Sequence, residues 1–95
     1  MSLVKEQIVQ SVDTAISVLM EVAKHPDIRL SEIARSLTET KPRILRMLRT
    51  LEHRGMVQKS PKGGFRLGNA ILVLGTAAST QVDLVRIASP IMEDV

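Results

Sequence analysis

Between Lys41 and Arg66 eight basic side chains (Lys41, Arg43, Arg46, Arg49, Arg54, Lys59, Lys62 and Arg66) stand against one acid, Glu52, a net charge of +7. The rest of the chain holds five basic and nine acidic residues and carries −4. Clustered guanidinium and ammonium groups draw polyanions to one end of a domain, and arginine can also donate two parallel hydrogen bonds to guanine O6 and N7. Bond-breaking chemistry has no comparable support. There is no cysteine, which removes thiolate nucleophiles, thiolate metal sites and disulfides together. His25 and His53 lack partners at ligand spacing, and no Ser-His-Asp order, carboxylate pair or glycine-rich phosphate loop is present. The residues point to a polyanion binder with no catalytic role, metal or cofactor.

The cations need a rigid element to present them. From Lys41 to Arg54 the apolar residues Ile44, Met47, Leu48 and Leu51 fall on one helical face. At about 100° per residue, centring Ile44 inward turns Pro42, Arg46, Arg49 and His53 outward, flanked by Arg43 and Thr50. Thr40 is placed to cap this helix, Pro42 is tolerated in its first turn, and Gly55 supplies a left-handed terminator. A short helix precedes it, with Ser31 as cap, Glu32 at its positive end, and Ile33, Ala34 and Leu37 inward. Thr38-Glu39-Thr40 makes a tight connection between the two.

Upstream, Val12, Ala15, Ile16, Leu19, Val22 and Ala23 predict a first helix over 11–24, stopped by His25-Pro26. Val9, Ile16, Val18 and Met20 widen its apolar stripe beyond the need of one core face. Downstream, Met56–Lys59 and Phe65–Leu67 read as two short antiparallel strands around a Ser60–Gly64 turn, with Phe65 anchoring the hairpin inward. Asn69 can cap a helix from Ala70 to about Gln81, and Asp83 another from Leu84. The expected fold is mainly α with a small β-hairpin: a winged helix-turn-helix followed by a linker helix.

Recognition helices read bases with their N-terminal residues. That places Lys41, Pro42, Arg43 and Arg46 near base edges, with Leu45 against a thymine methyl. Arg49, the wing residues Lys59, Lys62 and Arg66, and the cap positions Ser31 and Thr40 are candidates for phosphate. Gly63-Gly64 permits a tight hairpin tip and a close approach to the sugar-phosphate chain. With Phe65 the one aromatic residue, the stacking platforms of single-stranded nucleic-acid binders are missing. The competing reading, a winged-helix protein-interaction or dimerisation module, needs apolar anchors on the exposed helix face, where Leu45 stands alone. A chain of 95 residues buries only about 60–65% of its unfolded surface, so association is expected to add stability. No run is long enough to span a membrane and no secretory signal opens the chain, which suits a cytoplasmic protein.

The segments Leu30–Leu37, Lys41–Leu51, Gly55-Met56-Val57 and Gly63–Gly68 together resemble the IclR family of bacterial transcription regulators. The resemblance implies a winged-helix domain over 1–68, a linker helix over 69–82, and over 83–95 the start of an effector-binding domain. It implies binding of double-stranded operator DNA by a homodimer or tetramer joined through the first and linker helices, with Val9, Ile16, Met20, Ile71 and Leu74 as interface candidates. A small-molecule effector would bind the C-terminal domain and no residue of this chain. The chain departs from the family's pattern at Thr38-Glu39, where relatives usually carry glycine and an apolar residue. It departs again at Pro42 and Arg43 in place of small hydroxyl residues, and at Leu45 in place of histidine. Arg46 matches the family's arginine.

Overall fold

The computed structural model describes residues 7–81, so the helix expected from Leu84 lies outside the described residues. Four helices and one hairpin follow in the order α1 (Gln10–Lys24), α2 (Leu30–Leu37), α3 (Lys41–His53), β1 (Val57–Lys59), β2 (Phe65–Leu67) and α4 (Asn69–Gln81). The strands pair antiparallel, Val57 opposite Leu67 and Lys59 opposite Phe65. This is the mainly helical, hairpin-bearing winged-helix architecture expected.

The core is built from one face of each element. Val18 and Val22 of α1, Ile33 and Ala34 of α2, Ile44 and Leu48 of α3, Val57 of β1 and Phe65 of β2 are buried together with Ile28 of the α1–α2 loop. Leu19, Leu30, Leu37, Met47, Leu51 and Leu67 close its margin. The inward register of α3 is the predicted one. That of α1 is not: Val18 is fully buried, while Val12 and Ile16 are 55% and 52% exposed. Because α1 is apolar around much of its circumference, two stripes compete, and the packing of α2 and α3 selects the one through Val18 and Val22.

Helix ends follow local hydrogen bonding. The N-cap of α2 is Arg29, not Ser31, which sits half-buried inside the first turn. The Arg29 N–H donates to Glu32 Oε1 at 2.8 Å, so the carboxylate expected to serve the helix dipole also holds the chain entering the helix. Thr40 occupies the N-cap of α3, but its side chain makes no capping bond. At the other end of α3, Gly55 adopts φ +77°. Its N–H donates to the Glu52 carbonyl at 3.0 Å and that of Met56 to Leu51 at 2.8 Å, a Schellman closure.

Thr38 closes α2 at φ 55°, ψ 49°, a left-handed conformation in a β-branched residue. This is the position where the resembled family carries glycine. Left-handed geometry costs an L-residue about 1–2 kcal/mol, part of which glycine returns through its greater freedom when unfolded. Thr38→Gly is therefore expected to stabilise the domain by about 0.5–1 kcal/mol, read as a higher urea midpoint at unchanged slope.

Candidate nucleic-acid interface

Burial of Ile44 and Leu48 rotates α3 so that Lys41, Pro42, Arg43, Arg46, Arg49, Thr50 and His53 are all exposed, while Leu45 is half-buried. The Thr50 hydroxyl donates back to the Arg46 carbonyl at 2.8 Å. Arg43 Nε lies 3.1 Å from Glu39 Oε1 across one turn, so this arginine is partly neutralised at the helix start. Among the described residues Arg46 and Arg49 have no ion-pair partner. Arg43 and Arg46, with Thr50, also rim a largely apolar groove of about 470 Å³ whose opposite wall is α1, through Val12, Ala15, Ile16 and Leu19.

The hairpin is not a free projection. Asp27, at φ 71°, donates its N–H to the Phe65 carbonyl at 2.9 Å, and the Phe65 N–H donates to Ile28 at 2.9 Å. Ile28 thereby forms an isolated bridge to the edge of β2. Gly64 is buried there: an added Cβ would lie 2.0 Å from the Asp27 carbonyl oxygen. Its lack of a side chain thus serves packing within the domain. Gly63, at φ +94°, supplies the positive angle of the tip.

Lys59 and Lys62 are exposed on the wing. Arg66 instead turns to Asp27, its Nε 2.8 Å from Oδ1. That hydrogen bond, helped by the Ser60 hydroxyl, holds the Asp27 carboxyl below its ordinary value. The pair consequently persists through the neutral range and is lost only as pH falls through the lowered pKa. Sequence reasoning missed Arg29, whose guanidinium donates to the Lys62 carbonyl at 2.7 Å and so stands at the wing tip. Only its basic character pointed to it, since 33 residues separate the partners.

Of the interface candidates, Val9, Ile16, Met20 and Leu74 are exposed and Ile71 is half-buried. Val12 extends the α1 stripe, and Leu72 and Val73 are exposed beside Leu74 on α4.

Residues 13–63, from α1 to the wing tip, match the profile of the MarR family. The chain is 30% identical over 70 residues to the HTH-type transcriptional regulator KipR of Bacillus subtilis, covering 74% of this chain and 28% of KipR. An IclR transcriptional regulator from Alicyclobacillus acidocaldarius superposes with a TM-score of 0.73 at 35% identity, over 80% of this chain and 32% of its own. An IclR family regulator from Brucella abortus gives 0.73 at 27% identity, over 92% and 34%. The chain belongs to the MarR-type winged-helix family and is a domain of the IclR kind. The IclR-type likeness runs beyond the stretch that the MarR profile matches. This IclR-type chain spans about a third of the length of those relatives.

Proposed function

We propose that this IclR-type domain binds double-stranded operator DNA sequence-specifically as a homodimer, α3 in the major groove and the wing on the adjacent backbone or minor groove. The observation that supports it is the exposed pair Arg46 and Arg49, without an ion-pair partner among the described residues, on a helix whose opposite face is locked into the core. Lys41, Pro42, Arg43, Leu45 and Arg46 read base edges; Arg43 exchanges Glu39 for its target. Ser31, Thr40, Arg49, Lys59 and Lys62 contact phosphates. The apolar stripe Val9, Val12, Ile16 and Met20, with the exposed residues of α4, supplies the subunit contact, and pairing of dimers gives a tetramer. On this reading the domain holds no cofactor and works in the cytoplasm; no described helix is long and apolar enough to cross a membrane. Effector control belongs to sequence that the relatives carry outside the stretch they share with this chain.

Selection from random duplexes tests the reading. Half-sites are expected to emerge about 34 Å apart or at a multiple of that spacing. Arg46→Ala should cost about 1–3 kcal/mol on the selected duplex and relax base choice at its position. Arg49→Ala should weaken all duplexes alike and lower the slope of log affinity against log salt by about one. Parent-level affinity and selectivity in Arg46→Ala would remove the base-reading role. Failure of the parent chain to bind any duplex in a salt-dependent manner would overturn the reading. A second reading, docking of a protein partner, draws on the groove between α1 and α3, and would show as binding that depends on Val12 and Ile16 but not on Arg46.

A further inference from the structure

Three of the cations near the wing differ in what holds them. Lys62 is exposed at the tip, Arg29 is fastened to the Lys62 carbonyl, and Arg66 is paired with Asp27 across 39 residues of sequence. Asp27 makes two attachments to the same strand: its backbone N–H bonds the Phe65 carbonyl, and its carboxylate takes the Arg66 guanidinium. It does so from a left-handed backbone conformation, φ 71°, which costs an aspartate energy that its surroundings must return. An acid that neutralises a wing arginine works against binding a polyanion unless the pair fixes something the binding needs.

We infer that Asp27 is a positioning residue that sets the angle of the wing by clamping Arg66, and that the wing's phosphate contacts are made by Lys62 and Arg29 in place of Arg66. The inference rests on the DNA-binding reading above and refines it. The clamp withdraws one cation from the duplex and in exchange holds the tip, through Gly64 against the Asp27 carbonyl and Arg29 against Lys62, in one place relative to α3. The wing then supports a specific complex at a fixed distance from the recognition helix.

The test uses the whole chain, its selected duplex and a scrambled duplex, with binding followed by anisotropy across a salt series and contacts mapped by hydroxyl-radical footprinting. Asp27→Gly keeps the left-handed backbone available while removing the side chain that holds Arg66. Asp27→Asn tolerates the same backbone and restores an acceptor for Arg66. Under the clamp, Asp27→Gly loses about tenfold on the selected duplex, the scale of one charge-assisted bond, and holds or gains affinity for the scrambled one. It also loses the wing's flanking protection while keeping that of α3, and Asp27→Asn recovers most of the difference. Arg66→Ala breaks the same pair and therefore matches Asp27→Gly in affinity and in lost wing protection, and combined with Asp27→Gly it lowers the salt slope no further, whereas Lys62→Ala and Arg29→Ala in the parent each lower it by about 0.9.

If Arg66→Ala lowers the slope by that amount while Asp27→Gly binds both duplexes as the parent does, the clamp is wrong and Arg66 is a phosphate ligand, with the DNA-binding reading intact. If the parent binds neither duplex, that reading falls and the clamp's role falls with it.

Discussion

Leu48→Ala is expected to remove a large share of the stability of this domain. Leu48 is fully buried at the centre of α3, among Val18, Ile33 and Ile44 of the same core cluster. Truncating a buried leucine costs about 2–5 kcal/mol, through lost transfer energy and the cavity left behind. The core that must absorb the loss is small, nine buried apolar residues among those described. Net stabilities of small domains are about 5–15 kcal/mol, and each kcal/mol moves the midpoint of a domain this size by about 4–8 °C. A thermal titration by circular dichroism should find the midpoint lowered by about 8 °C or more, as about 2 kcal/mol already implies. A loss under about 1 kcal/mol would show that the site collapses around the smaller side chain and that α3 is held by something other than this core.

Gly64→Ala carries the second large effect, by the opposite mechanism. The added Cβ would sit 2.0 Å from the Asp27 carbonyl oxygen and 2.6 Å from that of Ile28, both backbone atoms with no rotamer to yield. Overpacking costs about 1–3 kcal/mol, and separating β2 from the α1–α2 loop also forfeits the two bonds between Asp27, Ile28 and Phe65, about 1 kcal/mol each. A total on the order of 3–5 kcal/mol is expected. Hydrogen exchange locates the damage: the Phe65 amide should lose its protection before those of α3. Protection of Phe65 at the parent level would mean that the loop gives way without breaking the bridge.

These two positions also mark what could and could not be read from the residue order. Leu48 was legible because Ile44, Met47, Leu48 and Leu51 leave only one inward face for that helix, and fixing the face also fixed where Arg46 and Arg49 point. In α1 the same reasoning faltered, since Val9, Val12, Ile16 and Met20 form as good a stripe as Val18 and Val22, and only tertiary packing chooses between them. Ser31 has the side chain of a cap, yet the helix starts at Leu30, because Glu32 captures the Arg29 amide. Turn chemistry at Gly63-Gly64 was plain, but not that the second glycine faces a carbonyl of a loop nearly forty residues earlier. The pairing of Asp27 with Arg66 had no local signal at all, since neither spacing nor composition reports which surface acid a strand arginine will meet.

The apolar flank has a consequence of its own. Helix α4 contains no charged residue and exposes Leu72, Val73 and Leu74, and the outer stripe of α1 is likewise uncharged at Val9, Val12, Ile16 and Met20. On the proposed reading, a subunit covering these stripes would be held by the exclusion of water, which sulfate and phosphate salts strengthen, whereas the arginine face of α3 would lose its grip on DNA as ionic strength rises. Two surfaces of one small domain would then respond to added sulfate in opposite senses.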